Sequence, residues 1–141
     1  MKIHEYQAKQ LLSSYGVPVP QGELCSNLAQ VGGAADNLGY PCVVKAQVHA
    51  GGRGKGGGIK LVKSRKDAES AAESLLGQKL ITPQTGSEGQ IINSVWVEAG
   101  SQIAKEYYVG LVLDRAKSQI CMMASKEGGM EIEEVAAKNP E

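Results

Sequence analysis

Residues 51–58 read GGRGKGGG, and six of these eight positions are glycine, against an average usage of about 7%. Glycine has no Cβ, so its backbone N–H groups can come close to phosphate oxygens. Four cations bracket the loop, Lys45, Arg53, Lys55 and Lys60, in a chain whose formal net charge is +0. Arg53 can fork onto a phosphate, and Lys45 can act as a point charge from a rigid strand end. The chemistry such a set can do is to hold and neutralise phosphates.

The spacing narrows the kind of loop. Gly52, Gly54 and Gly57 match G-x-G-x-x-G, a weak pattern alone. A dinucleotide-binding turn runs directly into a helix, whereas Ile59–Val62 reads as a strand. A Walker A loop needs Ser or Thr after its lysine, and Lys55 is followed by Gly56. What remains is a glycine-rich hairpin between two strands, of the kind that covers nucleotide phosphates in kinase-type sites. A flexible surface loop with solvated charges is the competing reading. An RGG-like nucleic-acid segment would interleave aromatics and repeat, and this stretch does neither.

Glu98 stands at the end of Val95-Trp96-Val97, and Glu106 opens the next apolar run. A carboxylate there could accept from ribose hydroxyls or orient a lysine; by spacing alone, both read as exposed strand-end acids. His49, just before the loop, could be a nucleophile or phosphate ligand, but reads first as a structural donor to backbone. His4 reads as a helix-start residue with no partner in view. Met122 and Met123 sit in an apolar run and read as core. Glu131, Glu133 and Glu134 read as an acidic first helical turn.

Elements must position these groups. Ile3, Tyr6, Leu11, Leu12 and Tyr15 recur at helical spacing, with Gly16 at the C′ position. Pro18 and Pro20 then enforce extended chain. A second helix is expected from about Asn27 to Leu38, with Leu28, Val31, Ala35 and Leu38 on one face; Gly32 and Gly33 weaken it. Cys42, Val43 and Val44 read as a strand buried on both faces, and Ile59 and Leu61 as the next. Ser64 with Asp67 resembles a capping box, opening a helix with Ala68, Ala71, Ala72, Leu75 and Leu76 inward and Gly77 at its end. Ile91–Val97, Tyr107–Leu113 and Gln119–Met123 read as strands, and 131–138 as a helix. The pattern is mixed α and β, without a clean βαβ alternation.

The 141 residues are enough for about one domain with a real core. A hydrophobic fraction of 42% and a charged fraction of 21% argue against disorder. Zero net charge argues against whole-protein attraction to nucleic acid or membrane. The odd number of cysteines, Cys25, Cys42 and Cys121, without a Cys-x-x-Cys pair, argues against a disulfide framework or zinc site. No apolar h-region follows the N-terminal lysine, and no apolar run approaches bilayer-spanning length. A cytoplasmic location is expected.

Four blocks carry a resemblance: HEYQAKQLL at 4–12, VVKAQVHAGGRGKGGG at 43–58, VEAGSQIAKEYYVGLVLDR at 97–115 and MASKEGGMEIEEVA at 123–136. In order and nearly without gaps, the chain resembles the β subunits of succinate–CoA ligase (succinyl-CoA synthetase). The resemblance implies an α/β (α+β) ATP-grasp fold, with 1–141 as the N-terminal part of the nucleotide-binding domain. It implies ATP and Mg2+, and the reversible making of succinyl-CoA from succinate, CoA and a nucleoside triphosphate in the tricarboxylic acid cycle. It also implies an α-subunit partner carrying the phosphohistidine and most of the CoA site, so His49 is not given that role. No nucleic-acid or membrane partner is implied.

By matched position, Lys45, Gly52, Arg53 and Gly54 resemble the family's phosphate contacts. Glu98, Ser101 and Glu106 resemble its other nucleotide contacts in this half, with serine at 101 where some relatives have threonine. The family's chains continue well past 141, carrying the Asn and Asp metal ligands. This sequence is therefore expected to be an N-terminal fragment, with no catalytic and no metal-ligating residue of its own, and inactive alone. Malate–CoA ligase β subunits share most of these motifs and are the nearest alternative; a non-catalytic module that binds the α subunit is another. Pro20 leans towards ATP over GTP.

Overall fold

The first helix, α1 (Glu5–Ser14), starts where the His4 backbone N–H donates to Gln7 Oε1 at 2.8 Å. It ends in a Schellman turn: Gly16 takes φ +76, and the Val17 N–H donates to the Leu12 carbonyl at 3.1 Å. The prolines that follow lead into β1 (Gly22–Cys25), a strand that its sequence did not announce. In the second helix, α2 (Leu28–Leu38), Asn27 is the N-cap and its side chain accepts from the Gln30 N–H at 3.0 Å. Gly32 is buried in this helix, and a Cβ there would come 2.5 Å from the Glu69 carboxylate, the mobile end of an exposed side chain. Leu28, expected on the inner face, is exposed.

Strand β2 (Cys42–Ala46) and strand β3 (Ile59–Val62) pair antiparallel and enclose the glycine loop, as the hairpin reading requires. β2 is not buried on both faces. Cys42, Val44 and Ala46 are buried while Val43 and Lys45 are half-buried, the period-2 pattern of an antiparallel sheet with two different faces. Helix α3 (Arg65–Glu73) is capped by Ser64, which accepts from the Asp67 N–H at 3.2 Å. It stops before Gly77, and Leu75 completes the buried face from the turn that follows.

The apolar run 91–97 divides into two strands. β4 (Lys79–Leu80) pairs with β5 (Gln90–Ile91), and β6 (Val95–Ala99) joins the main sheet. Ile92 intervenes, exchanging backbone hydrogen bonds with Gly77 and Gln78 at 2.9 Å each. The main sheet has the order β1-β6-β2-β3, with every neighbouring pair antiparallel. One face carries Cys25, Cys42, Val44, Val62, Val95 and Val97 against the alanines of α2 and α3. Val31, Val44, Ile92, Val95 and Val97 are fully buried, each contributing about 1.5–3 kcal/mol. All three cysteines are free thiols.

The computed structural model describes residues 2–126 and residue 128, and the chain divides into two compact units between Ser101 and Gln102. In the second unit, β7 (Tyr108–Asp114) and β8 (Gln119–Ser125) form an antiparallel hairpin. Its turn is held by Asp114 Oδ1, which accepts from the N–H groups of Ala116 and Lys117. Met122 and Met123 are not core: they are 70% and 38% exposed. Among the described residues the hairpin is a single two-stranded layer, and no residue of either strand is buried. The helix expected at 131–138 lies outside the described residues. No helix among the described residues is long and apolar enough to cross a membrane.

Candidate functional site

The site is built on the sheet face opposite the core. The register sets Val43 of β2 against Glu98 of β6 and Lys45 against Trp96, so Lys45 and Glu98 are diagonal neighbours on one face. Lys45 Nζ lies 2.7 Å from Glu98 Oε1. Glu98 is inside β6, not at an exposed strand end, and is only 5% exposed. A carboxylate so buried needs charge and hydrogen-bond partners. It has three: Lys45, the Lys9 ammonium, and Trp96 Nε1 at 2.9 Å.

Helix α1 lies across this face and supplies two groups that the motif reading missed. Glu5 Oε1 is 3.2 Å from Lys45 Nζ and 3.0 Å from Lys9 Nζ. Its other oxygen, Oε2, is 2.7 Å from Arg53 Nη2. Arg53 also donates from Nη1 to the Ala46 carbonyl at 2.8 Å, which fixes the side chain beneath its own loop. Three cations, Lys9, Lys45 and Arg53, thus enclose two carboxylates, Glu5 and Glu98. Glu5 and Lys9 stand four residues apart on α1, the spacing of an ordinary helical ion pair. That spacing was the only signal available; nothing local links residue 5 to residue 53 or residue 9 to residue 98.

The charges act on one another. Burial pushes the Glu5 carboxyl up, but Arg53 and Lys45 beside it pull harder and hold it at about 2. Burial likewise opposes ionisation of Glu98, and hydrogen bonds from Lys45, Lys9 and Trp96 outweigh it, leaving its pKa lowered. Lys9 is raised, because its hydrogen bonds to Glu98 and Glu5 overcome the desolvation that lowers it. Burial, His49 and Arg53 all lower the His4 imidazole, which favours its neutral form.

The histidines have a structural part. The ring of His49 stacks on His4 with centroids 3.8 Å apart and an interplanar angle of 14°. His4 therefore has a partner, and the start of α1 rests on the start of the glycine loop. Tyr6 extends the contact, stacking on Trp96 at 6.2 Å. The His49 backbone N–H donates to Gln90 Oε1 at 3.0 Å.

The loop folds into tight turns. The N–H groups of Gly56, Gly57 and Gly58 donate inward to the carbonyls of Gly52, Gly54 and Arg53. Gly52 and Gly57 have φ near +72 and +75, which only glycine adopts without strain. Gly56 could not carry a Cβ, which would lie 2.6 Å from the Ile81 carbonyl oxygen. Gly54 differs: its φ is not positive, and an added Cβ would meet only Ile59 Cδ1, at 3.9 Å. Neither packing nor backbone conformation explains glycine there, and close approach of a ligand to the 52–54 backbone would. The segment therefore fits a phosphate group. Of the bracketing cations, Lys45 and Arg53 converge on Glu5. Lys60 pairs opposite Val44, on the helix-covered face, so it does not join them.

Ser101 is exposed, just beyond β6 in the first unit. Glu106 is exposed in the second unit, ahead of β7, as its sequence position suggested. An open groove of about 490 Å3 adjoins the cluster and is lined by Lys9, Pro20, Gln21, Gly22 and Trp96. Among the described residues no group of three or more His, Cys, Asp or Glu side chains could hold a metal ion.

A family model described as ATP-grasp domain matches residues 2–141. The chain is 56% identical, over its whole length, to the β subunit of ADP-forming succinate–CoA ligase from Geobacillus kaustophilus, and covers 37% of that protein. It is 55% identical to the same subunit from Bordetella petrii, again covering 37%. The chain thus spans little more than a third of these curated relatives. Among solved structures, the dinucleotide-forming acetyl-coenzyme A synthetase of Ca. Korarchaeum cryptofilum, in complex with coenzyme A and Ca-AMPCP, superposes with a TM-score of 0.68. Identity is 20%, with 88% of this chain and 53% of that chain covered. The ATP citrate lyase of Methanothrix soehngenii gives a TM-score of 0.69 at 20% identity, over 92% of this chain and 33% of that one. At such identity the two structures speak to the fold alone.

Proposed function

The chain belongs to the ATP-grasp family, and from that premise we propose that it is the phosphate-holding part of the β subunit of an ADP-forming succinate–CoA ligase. The observation that carries this reading is the convergence of Lys45 and Arg53 beneath the glycine loop, on the sheet face that also holds Glu98. The 56% identity to subunits of that name supports succinate over malate as the acid. In this reading the ligand is ATP. The 52–54 backbone approaches its phosphates, and Lys45 and Arg53 neutralise their oxygens. Glu98 orients Lys45 and stands beside the nucleotide; Ser101 and Glu106 are assigned as nucleotide contacts on their matched positions.

The contribution of these residues is binding, orientation and charge neutralisation, which is most of what phosphoryl transfer asks of a protein. Covalent chemistry, most of the CoA site and the phosphohistidine belong to the α-subunit partner of the assembled ligase. Magnesium would accompany the nucleotide. The described residues offer it no cluster of ligands, and no step here is assigned to it.

Calorimetric titration of the chain with ATP and Mg2+, beside Lys45→Ala, tests the proposal. Saturable binding that the substitution weakens at least tenfold, about 1.4 kcal/mol, is expected. Equal binding by the two chains would remove Lys45 and the loop from the site.

A further inference from the structure

Between the two cations of the glycine loop stands a carboxylate of the protein's own. Glu5 gives one oxygen to Lys45 and the other to Arg53, at 3.2 and 2.7 Å. Two oxygens of one anion, each on a different cation, is also how a phosphate group would engage the pair. Charge sharpens the conflict. Lys9, Lys45 and Arg53 against Glu5 and Glu98 leave one positive charge in excess; without Glu5 the excess is two. Nucleotide phosphates carry several negative charges, so a neighbouring carboxylate opposes their entry.

The two carboxylates are not equivalent. Glu98 lies within a central strand and is also held by the Trp96 indole. Glu5 is the first residue of α1, and its side chain is 19% exposed against 7% for Glu98. Besides the Glu5–Arg53 pair itself, the start of that helix meets the loop through the His4–His49 stack, a contact without charge pairing. Glu5 is thus the carboxylate placed to give way.

We propose that Glu5 is an internal stand-in for phosphate: it occupies Lys45 and Arg53 in the nucleotide-free chain, and an incoming phosphate group displaces it. The inference rests on the reading of Lys45 and Arg53 as phosphate contacts and adds a competitor to that site. The competition keeps two half-buried cations paired when no ligand is bound and sets the affinity lower than the cations alone would give.

The test compares the chain with Glu5→Gln, Glu5→Asp and Lys45→Ala, titrated with ATP and separately with inorganic phosphate, each variant checked for native circular dichroism. Glu5→Gln should bind ATP at least threefold more tightly. Glu5→Asp, which keeps the charge and the helix but shortens the reach, should fall between it and the parent and serves if the glutamine variant does not fold. In the parent chain the His4 and His49 imidazole resonances should shift as ATP saturates, because α1 lets go of the loop. Binding by Glu5→Gln and Glu5→Asp that is unchanged or weaker, while Lys45→Ala still loses affinity, overturns the competition and leaves the phosphate site intact. No effect of Lys45→Ala removes the underlying site and this inference with it, as does absence of binding by every chain.

Discussion

Glu98 is a charge at 5% exposure, and it is tolerable only because two ammonium groups and an indole face it. Glu5 is held in the same way from α1. Both carboxyls titrate below their ordinary value of 4.5, Glu5 at about 2. A carboxyl whose pKa is depressed on folding contributes stability that is complete above the unfolded value and lost as pH falls through the folded one. The urea midpoint should therefore ease downward below about pH 6.5, where unfolding lets His4 take up a proton, and fall further between about pH 5 and pH 2 as the two carboxyls protonate. Glu5 contributes on the order of 1–2 kcal/mol to that loss, after allowing for screening at a partly exposed site. Glu5→Gln should begin less stable at pH 7 and show a shallower decline. Parallel pH profiles for the two chains would mean that Glu5 gains nothing from its cations on folding.

At the scale of elements, the glycine loop separates two uses of one residue type. Gly56 is excluded from carrying a side chain by the Ile81 carbonyl, whereas a Cβ on Gly54 would make only an ordinary contact with Ile59 Cδ1 at 3.9 Å. Gly56→Ala should cost stability, by about 1–3 kcal/mol of overpacking, read from the denaturation midpoint. Gly54→Ala should leave the midpoint within about 0.5 kcal/mol and lose ATP affinity instead. A Gly54→Ala chain that binds ATP like the parent would place the phosphate elsewhere. The same loop shows what was legible in the sequence. Its position between strands, the helix start near Asn27, the cap at Ser64 and the Gly16 stop follow from local rules, and the structure bears them out. Lys45 and Arg53 stood out because they bracket that loop, and Glu98 was expected beside a nucleotide from the family resemblance; the structure sets the three side chains close together around Glu5. Glu5, Lys9 and Trp96 escaped because their cross-chain partners lie between 40 and 89 residues away along the chain, or two residues away on a strand whose burial the sequence did not reveal. Met122 and Met123 misled for the opposite reason: an apolar run signals a strand, but a second layer decides whether the strand is buried.

For the molecule as a whole, burial is unevenly shared. Among the described residues, every member of the hydrophobic core lies between Cys25 and Val97. In the second unit, Val109, Leu111 and Leu113 of β7 face across the ladder to Ala124, Met122 and Ile120 of β8. Those three residues of β7 are 64–69% exposed, and Ile120 and Met122 are 73% and 70% exposed. A two-stranded hairpin without a covering layer is marginal in water, because its backbone hydrogen bonds are not sealed by apolar packing. Regions with few buried contacts open at low free-energy cost while a packed core opens only near the global limit. Amide hydrogen exchange should therefore find β2 and β6 protected at least a hundredfold more than β7 and β8. Leu111→Lys should leave the exchange of β2 and β6 unaltered, since it removes nothing from their core. Equal protection across the two units would show that the hairpin shares the cooperative fold of the sheet, and its exposed stripe would then need a layer that the described residues do not supply.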